Sequence, residues 1–156
     1  MSITKARKYL SQWKLTDRIQ EFDVSSATVE LAAQALGCEE NRIAKSLSLH
    51  FGEGAMLLVT AGDARIDNHK FKIEFNMKPK MLHTDEVEPM IGHAIGGVCP
   101  FGIHEDVPVY LDISMQRFST IFPACGSANS AIELTPDELK EYAHAEKWVD
   151  VCKNWE

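Results

Sequence analysis

Lys45 is the residue whose position first points to chemistry. The run IAKSLSLHF (43–51) alternates with a two-residue period, which predicts a strand with Ile43, Lys45, Leu47, Leu49 and Phe51 on one face. Ala44, Ser46, Ser48 and His50 share the other face. An ammonium on an apolar stripe is costly unless it is paired or faces a polar cavity, so this placement predicts a pocket near the start of the strand. The competing reading is a lysine whose stem packs while its amine reaches water.

Two loops offer further groups. HAIGGVCPFGI (93–103) sets three glycines and a proline among apolar residues, too broken for a regular element and too apolar for a plain surface loop. Gly96 and Gly97 lack a Cβ and Pro100 stiffens the bend behind them, so main-chain N–H groups there can approach a phosphate or an oxyanion. In CGSANS (125–130), Ser127 and Asn129 supply small hydrogen-bonding groups. Either loop taken alone also reads as an ordinary tight turn. Cys99 and Cys125 lie within these loops and raise the prospect of a thiol nucleophile, but no neighbouring residue supplies an activating base or cation. His93 and His104 flank the glycine loop as acid–base candidates or as loop histidines with satisfied hydrogen bonds, and Asp63 and Asp67 read as turn and cap residues.

The cysteines at 38, 99, 125 and 152 form no CxxC pair, and the histidines form no HxxxH or HExxH pair. GxGxxG and GxxxxGK[ST] loops are also missing, so neither a metal nor a nucleotide cofactor is expected.

The elements that must position these groups follow from pattern. With 156 residues, 45% hydrophobic and 25% charged, the chain is expected to fold as one domain over 1–156 with a self-sufficient core. No apolar run approaches the roughly 18–20 residues of a membrane span, and MSITKARKYLSQWK is too polar for a signal peptide. The expectation is a cytoplasmic protein with free thiols and no membrane partner. A net charge of −7 opposes a broad DNA-coating face. Locally, however, Arg65, Lys70, Lys72, Lys78 and Lys80 outnumber Asp63, Asp67 and Glu74, which leaves room for a small phosphate-facing patch.

Helices are predicted over 4–13, over 26–36 with Ser25 or Ser26 as cap and Gly37 as stop, from an Asp67 cap to about Phe75, and over TDEVEPMI before Gly92. A last helix opens with Thr135 as cap, Pro136 at its first position and Glu138 closing a capping box. Strands are predicted at 18–22, in a hairpin 43–51/55–61, at KMLH (80–83), and at 107–113, 119–124 and 131–134. This order describes an α+β domain around a mixed, largely antiparallel sheet curled into a barrel-like core.

Taken together, ALGCEENRIAKSL (35–47), GDARIDNHKF (62–71), GGVCPFG (96–102) and CGSANSAIELTPDEL (125–139) resemble the YbaK and prolyl-tRNA synthetase associated editing-domain family in order and spacing, over about residues 20–140. The resemblance implies a free-standing domain that hydrolyses mischarged aminoacyl-tRNA, in the family's usual case tRNA for proline carrying a wrong small amino acid. It implies that Lys45 is the functional lysine and that Gly96, Gly97 and Pro100 form the loop near the terminal adenosine. Phe101, Ser127 and Asn129 complete the expected substrate-binding set, and some members carry His near Asn129. Arg65, Lys70 and Lys72 are the residues expected to meet tRNA, and prolyl-tRNA synthetase is a candidate partner. Water or a substrate group is the expected nucleophile, not Cys99, because an aminoacyl ester is already activated. Two other functions remain open at this level: a non-catalytic module that senses an amino acid or aminoacyl-tRNA, and a thiol enzyme using Cys99 or Cys125.

Overall fold

The computed structural model describes residues 2–155. Helix α1 (Ser2–Leu10) is followed by β1 (Ile19–Glu21), α2 (Val29–Leu36), and the hairpin strands β2 (Ile43–Phe51) and β3 (Gly54–Ala61). Then come β4 (Arg65–Ile66), α3 (Asn68–Phe75), α4 (Thr84–Ile91), β5 (Val109–Asp112), β6 (Phe122–Pro123) and β7 (Ser130–Ile132). Helix α5 (Pro136–Tyr142), β8 (Lys147–Val149) and β9 (Cys152–Lys153) close the described chain. Among the described residues no helix is long and apolar enough to cross a membrane.

The five-stranded sheet has the order β6-β2-β3-β5-β8, and short antiparallel pairs β1-β7 and β4-β9 flank it. β3 is its central strand and is buried from Ala55 to Ala61, which explains why its sequence is continuously apolar while that of β2 alternates. On one side of the sheet Phe71 and Phe75 of α3 stack with Tyr110 and Phe51, with ring centroids 4.6 Å apart for Phe71–Phe75 and 4.9 Å for Phe75–Tyr110. α1 covers the glycine loop, with Ala6 and Leu10 fully buried.

The mixed α+β architecture agrees with the sequence, with corrections in detail. Within the five-stranded sheet only β2-β3 is antiparallel, while β2-β6, β3-β5 and β5-β8 are parallel, so this sheet is less antiparallel than expected. α2 begins at Val29 rather than 26, because Thr28, extended and not helical, accepts the Leu31 N–H on its hydroxyl (3.2 Å). Ser26 instead spends its own N–H on the Ala128 carbonyl. The strand expected at 80–83 is a single bridge, Leu49 to Met81. The Thr135 and Asp67 caps form as predicted.

Candidate functional site

The site follows from how β2 is paired on its outer edge. β6 lies beside Ile43 and Ala44, and the segment 80–82 lies beside Ser48 to His50. Between those neighbours the edge opens into a cleft of about 330 Å³. Its floor is β2 itself, through Ile43 to Ser46 and Ser48; Thr28, Val29 and Ala32 form one wall, Met81, Thr84 and Val87 a second, and Ile95, Gly96 and Val98 a third. Ala124, Ser130 and Ala131 close the back. Lys45 is the one charged residue in this lining, and no carboxylate joins it.

The Lys45 amine donates to the Ala64 carbonyl (2.5 Å) and more distantly to that of Gly62 (3.5 Å). Burial lowers its pKa and Arg65 adds to that effect, while Cys152 and Asp63 oppose it. The lysine is therefore neither unpaired in the core nor extended into water; main-chain carbonyls hold it at the cleft. Those carbonyls are fixed in turn, because Arg117 grips Asp63 through two hydrogen bonds of 2.6 and 3.1 Å.

The two loop glycines have different tasks. Gly96 lines the cleft with φ +94°, and its N–H has no hydrogen-bond partner among the described residues. Gly97 is buried and gives its N–H to the Ala94 carbonyl (3.1 Å), so it offers no donor to a ligand. A Cβ on Gly97 would lie 2.6 Å from the Gly126 carbonyl carbon, which makes this glycine the point where the two loops touch.

The other expected residues stand behind the cleft. Pro100 lines a separate cavity with Tyr9 and His104, and Phe101 is fully buried. Ser127 donates to Asn129 Oδ1 or to Ser130 Oγ (2.9 and 2.7 Å), and the Asn129 amide donates to the Phe22 carbonyl (3.0 Å), so both brace the loop that carries Ser130. Arg65 and Lys72 are exposed, outside the cleft lining. Lys70 bonds Asp150 (3.2 Å) and the Cys152 carbonyl (3.1 Å).

The lining also holds hydroxyl residues that the sequence does not mark as site groups: Ser26, Thr28, Ser46, Ser48, Thr84 and Ser130. Ser26 Oγ is buried with no hydrogen-bond partner. The available signal was the Ala44, Ser46, Ser48 face of β2, which in isolation reads as a solvated strand face.

The thiols are unsuited to nucleophilic work. Burial pushes the Cys99 thiol up to about 12 and raises Cys125 well above its ordinary value. His93, 3.5 Å from Cys99 Sγ, is held by the Phe101 carbonyl at 2.6 Å, and burial lowers its pKa. No group of three or more His, Cys, Asp or Glu among the described residues is placed to hold a metal ion.

The curled mixed sheet with its surrounding helices is the YbaK-like editing-domain fold. A crystal structure described as that of "a putative trans-editing enzyme for prolyl tRNA synthetase" matches with a TM-score of 0.87 and 29% identity, covering 97% of each chain. The chain belongs to the aminoacyl-tRNA editing domain family, whose model matches residues 23–142. It is 54% identical to YwhH of Bacillus subtilis over 158 aligned positions, the full length of both chains. It is also 31% identical to the "Putative Cys-tRNA(Pro)/Cys-tRNA(Cys) deacylase EbsC" of Enterococcus faecalis, over 87% of this chain and 85% of that one.

Proposed function

We propose that the protein is a trans-acting deacylase that removes a wrong small amino acid from tRNA for proline. The observation that carries this reading is a cleft of about 330 Å³ that has Lys45 and the open Gly96 N–H in its lining, with Ala32, Ala44, Ala124 and Ala131 set among the bulkier Val29, Met81, Val87 and Ile95. A largely apolar lining of this kind suits a small uncharged side chain, and each methylene of misfit is worth roughly 1–3 kcal/mol. The reaction asks little of the protein beyond placement. Water adds to the acyl carbonyl carbon, negative charge gathers on the carbonyl oxygen, and the bond to the ribose oxygen breaks. The ribose oxygen takes up a proton, and free amino acid and intact tRNA leave. The Gly96 N–H is suited to the developing oxyanion, and Lys45 to orienting the acceptor end through a phosphate or carbonyl oxygen. The names of the relatives support tRNA for proline as the substrate and prolyl-tRNA synthetase as the enzyme whose errors are corrected.

The test incubates the pure protein with alanyl-, cysteinyl- and seryl-tRNA for proline, with prolyl-tRNA as control. At least one mischarged species should be hydrolysed well above its rate in buffer while prolyl-tRNA survives. If none is hydrolysed, the cleft does not act as a deacylase.

A further inference from the structure

Among the described residues, the main chain of Ser46 in β2 has no neighbour on its outer edge, and Ser46 lies at the floor of the cleft. The His50 N–H donates to the Lys80 carbonyl (2.8 Å) and the Leu82 N–H to the Ser48 carbonyl (3.0 Å). Main-chain groups of a strand alternate in direction, so the even-numbered residues of β2 turn their N–H and C=O away from β3. β6 follows this edge only as far as Ala44, opposite Pro123, after which Ala124 turns to bridge Ala131. Ser46 lies between the two neighbours. Its N–H and C=O therefore face outward, and neither has a hydrogen-bond partner among the described residues. Ser46 also lines the cleft.

An unpaired N–H and C=O on one strand residue form a template for one residue of an opposing strand. An aminoacyl group has the matching pattern, with an α-amine donor and a carbonyl acceptor bracketing a single Cα. We infer that the Ser46 main chain docks the aminoacyl group as the missing ladder residue: its C=O accepts from the α-amino group and its N–H donates to the acyl carbonyl oxygen. In such an exchanged pair the two side chains fall on the same face of the sheet. The amino acid's side chain is then directed to the face of Ala44, Ser46 and Ser48, into the cleft they line. Selection for an α-amino acyl group thus comes from main chain, and selection for side-chain size from the walls.

This inference rests on the deacylase reading, and its test separates the two. The full-length protein, labelled with nitrogen-15, is titrated with 3′-alanylamino-3′-deoxyadenosine, an amide that cannot be hydrolysed like the ester, and with 3′-amino-3′-deoxyadenosine as control. Hydrogen exchange at the Ser46 amide should slow at least about tenfold with the alanyl compound alone, while the Leu47 amide, laddered to Leu58, stays unchanged. In parallel, the Ser46 amide is replaced by an ester through the α-hydroxy analogue of serine. This should lower kcat/KM by about tenfold or more in a folded protein, since the deleted N–H has no partner among the described residues. Binding seen at Gly96 or Ser130 with Ser46 unmoved, or an ester variant of parental activity, overturns the docking assignment and leaves the deacylase reading standing. Absence of both binding and hydrolysis overturns both.

Discussion

Lys45 is held under opposing influences. Burial disfavours its charge and lowers its pKa below the ordinary 10.5, while the carbonyls of Ala64 and Gly62 accept from its amine. Such a charge is kept at a cost to the fold, so its removal tells function from stability. Lys45→Met should reduce deacylation at least about a hundredfold, the scale for losing a positioning or electrostatic contact. The variant should melt at the parent's temperature or above it near pH 7. The pH dependence has a definite sign. Between the lowered folded pKa and 10.5 the unfolded chain holds this proton more tightly than the folded one, so the parent gains stability as pH rises through that window. The methionine variant lacks this gain, and its advantage should shrink toward pH 10. Melting curves of both proteins from pH 7 to 10 check this, and a variant less stable at pH 7 would show that the carbonyl contacts outweigh burial.

At the scale of elements, the two loops behind the cleft act as one unit through Gly97. A Cβ there meets Gly126 C at 2.6 Å, Gly126 O at 2.7 Å and Ser127 N at 2.7 Å, all main-chain atoms that cannot rotate away. Gly97→Ala should therefore cost about 1–3 kcal/mol, the range for forced overpacking, and lower the melting temperature along with activity. An unchanged melting temperature would mean that the loops are not apposed in solution. The same elements show what a sequence can disclose. The β2–β3 hairpin, the Asp67 and Thr135 caps and the helix before Gly92 were legible because each depends on local signals. The start of α2 was not: Ser25, Ser26 and Thr28 can all cap, and the choice depends on the Ser26 N–H meeting Ala128 about a hundred residues away. β4, β8 and β9 escaped because two or three residues carry no period. Lys45 and Gly96, singled out in the sequence as residue types out of place, line the candidate cleft. Ser46 and Ser48 join that lining through the gap in pairing at the sheet edge, which no local pattern shows, and the side chains of Phe101 and Asn129 are directed to structural partners.

For the whole molecule, the segment beyond the family match at residue 142 completes the core that holds the lysine. β8 forms the far edge of the sheet beside β5, and β9 pairs with β4, immediately after Ala64. Val149, Val151 and Cys152 are no more than 2% exposed. Lys70 ties the segment down through Asp150 and the Cys152 carbonyl. Arg117 joins it to Asp63 by also donating to the Trp155 carbonyl, with its guanidinium 5.2 Å from the Trp155 ring centroid. Full burial of a valine side chain stabilises by about 1.5–3 kcal/mol, and a domain as a whole has about 5–15 kcal/mol. Ending the chain after Glu146 removes two buried valines, Cys152 and the sheet edge together. The truncated protein should lack a cooperative melting transition by circular dichroism. Trp155→Ala is the finer probe, since it removes the ring beside Arg117 and leaves β8 and β9 in place. It should lower the melting temperature by only a few degrees, the shift that about 1 kcal/mol produces in a domain of this size. If the Arg117–Asp63 pair holds the Ala64 carbonyl for Lys45, the tryptophan variant should also lose kcat while KM stays nearer the parent's. A variant with parental kcat would confine the C-terminal segment to stability and separate it from the lysine.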